Sequence, residues 1–373
     1  MQVLICPDKF AGTLTAVEAA TAIADGWRAA VPGDEVIARP LADGGPGFIE
    51  VLATALGGTR IPAATVDPLG RPVTGEVLVL GERAYLESAQ ACGLHLVEPE
   101  KRDPKITTSY GLGLLITAAV EAGAREIVIG LGGSATNDAG AGMLAALDAA
   151  PLDAAGYALP FGGAALAGCV ALGGVPRTRG VRLIAATDVD NPLTGLYGAS
   201  SVFGPQKGAT REDVLLLDAA LESFAAVLEK ALPGCPSGLA VQPGAGAAGG
   251  LGAAILALGG GMVSGTTLVR EMTGLDAAMD GADLVITGEG SFDAQSLRGK
   301  LVSGVAEAAR DRGLPCVVLA GRVTAGRREA AAAGVTETHS LVDHFGSVEE
   351  AMSRPVEGLT ELASRLAGQW SRG

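Results

Sequence analysis

The chain opens on a short apolar run, residues 2–6, stopped by Pro7, and a helical period of apolar positions follows at once. Thr15-Ala16-Val17-Glu18 has the spacing of a capping box, so a helix is predicted to run from there toward Ala30. A second strand over 35–40, the loop Leu41-Ala42-Asp43-Gly44-Gly45-Pro46-Gly47 and a helix through Leu56 repeat the pattern. Two strand–loop–helix units in succession predict a parallel sheet. Between Thr59 and Ser88 the period shortens. Three β-rich pieces (59–66, 72–80 and 83–88), separated by Asp67-Pro68-Leu69-Gly70 and Gly81-Glu82, predict antiparallel hairpins.

Alternation then returns with a helix over 109–121, a strand over 126–130, a helix over 138–147 and a strand over 181–186. A long helix over 211–231 has Thr210 as its N-cap. Residues 244–261 are rich in Gly and Ala, yet Leu251, Ile255 and Leu256 read as a packed helix beside a turn rather than a linker. From Asp283 the order is strand 284–287, helix 294–310, strand 315–320 and a final helix from about 348. The two ends of the chain share one architecture and the middle has another. The predicted fold is α/β: a Rossmann-like parallel-sheet domain formed by both termini (1–62 and 271–373), an inserted α+β second domain (63–270), and an active site in the cleft between them.

Composition supports this division, since 373 residues exceed one compact core. The 56 glycines follow no three-residue period, so they signal tight turns and close backbone approaches. A formal charge of −14 argues against a nucleic-acid or anionic-membrane partner, while backbone amides can still hold a small anion locally. The chain has neither a basic-flanked leader nor an apolar run of about 18 residues, which predicts a cytoplasmic protein. Five scattered cysteines predict buried thiols, and the three histidines have no metal-ligand spacing.

Candidate chemistry gathers where predicted strands end. The strand over 126–130 runs into Gly130-Leu131-Gly132-Gly133-Ser134-Ala135-Thr136-Asn137-Asp138, where glycines let backbone approach a phosphate and Ser134 and Thr136 offer hydroxyls. The same composition also suits a close-packed strand–helix corner. Asp8 and Lys9 leave the first strand, and Asp43, Gly44 and Gly45 leave the second, at the end where open α/β sheets bind ligands. Past the strand over 181–186 come Asp188, Asp190 and Asn191-Pro192, either an Asx-Pro turn or a carboxylate pair for proton transfer and metal binding. Lys207, among glycines, either reaches a phosphate oxygen or stands on the surface. Finally Thr287-Gly288-Glu289-Gly290-Ser291-Phe292-Asp293 leads to Arg298 and Lys300, with no Walker A spacing. No strand carries the dinucleotide fingerprint, so NAD is not predicted.

Taken in order, the strings 7–14, 41–45, 87–89, 108–111, 130–138, 188–193, 202–209 and 287–300 resemble the bacterial glycerate kinase family of the glycerate 2-kinase type. The resemblance implies ATP-dependent phosphorylation of D-glycerate to 2-phosphoglycerate with Mg²⁺. Asp188 is the expected base with Asp293 as rival, and Asp188 and Asp190 are the expected metal contacts. Glycerate would meet Asp8, Lys9, Asp43, Gly44, Gly45 and Arg298, and ATP would meet Gly132, Gly133, Ser134, Thr136, Asn137, Lys207, Gly288, Glu289 and Lys300. Family members often carry Ser at the position of Lys9 and Lys at that of Ala11, so the lysine here stands two residues earlier. Partners are expected to be small molecules only, with oligomeric state open. Two rivals accompany this reading: a kinase for another small sugar acid, or one forming 3-phosphoglycerate, and a non-catalytic protein that binds an anionic metabolite.

Overall fold

The computed structural model describes residues 1–297 and 301–371. In chain order its strands are β1 (Gln2–Ile5), β2 (Glu35–Ala38), β3 (Thr59–Val66), β4 (Pro72–Leu80), β5 (Arg83–Glu87), β6 (Glu126–Gly130), β7 (Ala150–Leu152), β8 (Ala171–Gly173), β9 (Arg182–Ala186), β10 (Gly261–Val263), β11 (Leu284–Phe292), β12 (Cys316–Val323) and β13 (Glu337–Ser340). The chain divides into two compact units, one of Met1–Ala42, Glu50–Leu56 and Thr266–Gly373, the other of Asp43–Ile49 and Gly57–Gly265.

The first unit is an all-parallel sheet in the order β13-β12-β11-β1-β2. Its strand order reverses between β1 and β11, and the crevice beyond the carboxyl ends of strands at such a reversal is where doubly wound sheets bind ligands. Val3, Ile5, Leu284, Ile286, Val317 and Leu319 bury against the helices Ala16–Ala30 and Pro355–Trp370. The first of these helices starts at the capping box: Thr15 Oγ1 accepts from the Glu18 amide at 3.2 Å and Glu18 Oε2 from the Thr15 amide at 2.8 Å. Its Trp27 is fully buried and spends its indole N–H on Asp34 Oδ2 at 2.9 Å.

Three expectations change here. The strand expected over 284–287 continues to Phe292, because Gly288, Glu289, Ser291 and Phe292 pair with Leu319, Ala320, Arg322 and Val323 of β12. Gly288 and Glu289 are therefore strand residues, and a Cβ on Gly288 would lie 2.0 Å from the Leu319 carbonyl oxygen. The helix expected over 294–310 is described as Leu301–Asp311, since Asp293 Oδ1 first takes the amides of Gln295 and Ser296 at 2.7 and 3.2 Å and turns the chain. The final helix is two, Val348–Ser353 and Pro355–Trp370, with proline at the first position of the second.

The second unit has a mixed sheet in the order β10-β9-β6-β5-β4-β3, antiparallel across β3, β4 and β5 and parallel from β5 to β10. A small antiparallel pair, β7 with β8, stands apart from it. Val77, Leu86, Ile127, Ile129, Leu183 and Ala185 meet the helices Tyr110–Glu121 and Ala247–Ala257 in one apolar core. The segment rich in Gly and Ala is thus interior helix, broken by left-handed backbone at Ala248, Gly249 and Gly250. The helix expected over 138–147 shrinks to Ala141–Ala146, because Ala139 and Gly140 are left-handed (φ 47° and 71°) and cannot continue a right-handed turn. Among the described residues no helix is long and apolar enough to cross a membrane.

Candidate functional site

Three adjacent parallel strands of the second unit end level with one another, since Glu87 pairs with Gly130 and Gly130 with Ala186. At a spacing of about 4.8 Å between strands, Glu87-Ser88, Leu131-Gly132-Gly133 and Thr187-Asp188 leave the sheet side by side. The Asp43–Gly47 loop closes over these exits. Gly44 is left-handed (φ 89°), and a Cβ there would lie 2.6 Å from the Ala186 carbonyl oxygen; a Cβ on Gly132 would lie 2.7 Å from the Gly45 Cα. The structure thus gives Gly44 and Gly45 a packing role, two backbones meeting where no side chain fits. Asp43 Oδ1 accepts from the Gly45 amide at 3.0 Å, while Glu87 Oε2 accepts from Gly47 and Ile49 at 3.0 and 3.4 Å. Glu87 so places an anion at the start of the helix Phe48–Leu56, where the helix dipole favours it.

Within the glycine-rich segment only Gly132 and Gly133 reach solvent, and Ser134, Thr136 and Asn137 are buried. The amides of Leu131, Ala135 and Ala139 are spent on the carbonyls of Ala186, Cys92 and Gly249. Asn137 Nδ2 donates to Ser200 Oγ at 2.9 Å. Among the described residues, Asn137 Oδ1 and Thr136 Oγ1 are buried without a hydrogen-bond partner. Lys207 is also buried, so it is no surface lysine: its ammonium donates to Ser134 Oγ at 2.9 Å and to the Thr136 carbonyl at 2.7 Å, which staples the turn from beneath. Asp138, fully buried, accepts from the Ser109 amide and hydroxyl at 2.9 and 2.8 Å and from Gly140 and Gly142, both at 3.1 Å.

Burial raises the Asp138 carboxyl above its ordinary value, against the lowering effect of those hydrogen bonds. Burial likewise lowers Lys207 from 10.5 to about 7, although the charge of Asp138 and the Cys92 thiol pull it upward. The folded value lies below the unfolded one, so between about pH 7 and 10.5 the unfolded chain binds more protons and stability rises with pH. Relative to Lys207→Met, wild-type stability is expected to gain up to about 1.4 kcal/mol per pH unit across that window, read from urea denaturation at each pH. A difference independent of pH would show that this ammonium does not titrate there.

Asp188 is exposed at the end of β9 and accepts from Ser264 Oγ at 2.6 Å, a hydroxyl that follows the neighbouring strand β10. Asp190 is exposed two residues on, and its carbonyl takes the Gly244 amide at 3.0 Å. No group of three or more His, Cys, Asp or Glu suited to a metal occurs among the described residues. An exposed pair such as Asp188 and Asp190 nevertheless fits Mg²⁺, which commonly uses one or two carboxylates together with substrate phosphates and water.

In the first unit, Asp8 and Lys9 stand at the strand reversal. The Asp8 amide donates to the Gly288 carbonyl at 2.8 Å, Asp8 Oδ1 accepts from the Lys9 amide at 2.7 Å, and the Lys9 ammonium lies 3.5 Å from the same oxygen. Gly288 and Glu289 share this rim as part of β11, and Asp293 begins the turn beyond it. Arg298 and Lys300 lie outside the described residues. Burial raises the Cys235 and Cys316 thiols to about 11 and 12, which keeps both protonated and unreactive near neutral pH.

Glu87 and Ser264 acquire roles that local reading does not assign. Glu87 had a signal, a carboxylate ending an apolar strand. Ser264 has none, for its partner lies 76 residues away.

Glycine turns and carboxylates at the carboxyl ends of parallel strands make this an α/β protein suited to small anionic ligands. The model of the glycerate kinase family matches residues 3–371. The glycerate kinase of Bacillus subtilis is 41% identical over 373 residues, spanning 98% of this chain and 97% of that one. The glycerate 2-kinase of Escherichia coli K12 is 39% identical, spanning 100% and 99%. A crystal structure described as a glycerate kinase 2 from Salmonella typhimurium LT2 superposes with a TM-score of 0.82 at 38% identity, covering 100% of this chain and 99% of that one. The chain belongs to the glycerate kinase family, phosphotransferases with an alcohol group as acceptor and ATP as co-substrate.

Proposed function

We propose that the protein transfers the γ-phosphoryl group of ATP to the 2-hydroxyl of D-glycerate, giving 2-phosphoglycerate and ADP. The observation that carries this reading is the level exit of the neighbouring strands β6 and β9, one followed by the Gly132-Gly133 turn and the other by the exposed Asp188. Phosphoryl transfer needs a carboxylate that orients and deprotonates the attacking hydroxyl, next to backbone that can approach phosphate oxygens. In this reading Gly132 and Gly133 meet the phosphates. Lys207, Ser134, Thr136 and Asn137 hold that turn in shape from below rather than standing in solvent. Lys9 is the cation for the acid's carboxylate, Asp8 an acceptor for a hydroxyl of the acid, and on the resemblance Arg298 a second cation for the carboxylate; Lys300 is assigned to phosphate on the same ground.

As the glycerate hydroxyl loses its proton to Asp188, the new O–P bond forms and the bond to the ADP oxygen breaks. Mg²⁺, when bound, neutralises charge on the phosphates; Asp188 and Asp190 are the residues that would hold it. The name of the Escherichia coli relative supports the 2-hydroxyl as acceptor. ADP release measured with D-glycerate, L-glycerate, glycolate, tartronate and hydroxypyruvate should show D-glycerate preferred, and phosphorus NMR should show a 2-phosphate ester. No ADP with any of the five would sink the reading, and a 3-phosphate ester would overturn its regiochemistry.

A further inference from the structure

The Thr108-Ser109-Tyr110-Gly111 string has no part in the chemistry described so far, yet it borders a cavity of about 260 Å³ in the second unit. Tyr110 and Phe161 form one wall, with ring centroids 5.2 Å apart and planes inclined at 54°, and Ala141, Gly142, Ala145 and Pro151 line other parts. Tyr110 carries the only polar group among the lining side chains. Phe161 leaves 51% of its surface exposed, so this ring is not simply filling a core. An apolar recess faced by aromatic rings suits a flat, weakly hydrated ligand that stacks, and base-on-aromatic contact is the usual means of holding a nucleobase without reading its edge.

The position of the recess selects the occupant. Asp138, which ends the glycine-rich segment, holds the Ser109 amide and hydroxyl at 2.9 and 2.8 Å and the Gly142 amide at 3.1 Å. Ser109 is followed directly by Tyr110, and Gly142 itself lines the cavity. One buried carboxylate at the end of the glycine-rich segment therefore braces Ser109, the neighbour of Tyr110, and Gly142 in the wall of the recess. We propose that this cavity receives the base of the nucleoside triphosphate, stacked against Phe161 and Tyr110. The inference rests on the kinase reading above.

The test compares wild type with Phe161→Ala, with the stacking-competent Phe161→Tyr, and with Ala145→Leu, which fills the recess. Loss of one stacking ring is expected to raise KM for ATP roughly ten-fold in Phe161→Ala, with a similar rise in Ala145→Leu. Phe161→Tyr should stay within about two-fold of wild type, and KM for glycerate should move less than two-fold in all three. Adenosine should lose potency as a competitive inhibitor in the two damaged variants, while inorganic tripolyphosphate keeps its own. Unchanged KM for ATP in natively folded variants, or parallel weakening of adenosine and tripolyphosphate, would overturn the assignment. If wild type releases no ADP with any acid, the kinase reading fails by itself, and calorimetric titration of adenosine into wild type and Phe161→Ala still tests the cavity: tighter binding to wild type upholds it, and equal or absent binding rejects it.

Discussion

Asp188→Asn is expected to lower kcat by about 10²–10⁴-fold while both KM values change only a few-fold. Asparagine keeps an oxygen to accept from Ser264 Oγ, which in wild type lies 2.6 Å from Asp188 Oδ1, so the side chain can hold its place. What it loses is the capacity to take a proton from the attacking hydroxyl. Asp293 is the competing base, but its Oδ1 already accepts from Gln295 and Ser296 and shapes the turn after β11. Steady-state kinetics of Asp188→Asn and Asp293→Asn decide the matter. Near-normal turnover in the first together with abolished turnover in the second would reverse the assignment.

The largest loss of stability is expected from Asp138→Ala, about 3–5 kcal/mol. The substitution strands three amides and a hydroxyl in the interior, those of Ser109, Gly140 and Gly142, and removes the charge that pulls the Lys207 titration upward. Each buried donor without an acceptor costs on the order of 1–3 kcal/mol, and partial repacking keeps the total below the sum. Urea denaturation should show a lower midpoint at an unchanged slope. A shift worth less than about 1 kcal/mol would mean that the four bonds contribute little beyond what water supplies.

The parts of this molecule legible from sequence are those governed by neighbours in the chain. The turn Asp67-Pro68-Leu69-Gly70 announces the β3–β4 hairpin, and Thr15 with Glu18 announces the first helix, because each device acts within four residues. The glycines near the strand ends were equally visible. Their purpose was not, since the reason for Gly44 is the Ala186 carbonyl, distant in sequence. Lys207 could not be placed indoors from its glycine-rich surroundings, for the atoms that bind its ammonium belong to residues 134 and 136. The extension of β11 through Gly288 and Glu289 has the same origin: local composition favours a loop, and pairing with β12 overrides it. The proposed base was legible as a residue at a strand end, whereas its Ser264 contact depends on β10 lying beside β9.

The position of β1 inside its sheet has a consequence for synthesis of the chain. Val3 pairs on one side with Val36, available almost at once, and on the other with Leu284, about 280 residues later. At roughly 5–20 residues per second, translation delays the second partner by about 15–55 s. During that interval the contiguous stretch 57–265 emerges, carrying every strand of the mixed sheet, while the amino-terminal apolar strand waits with an open edge. The mixed sheet is therefore expected to have all its strands available for pairing before β1 gains its second neighbour.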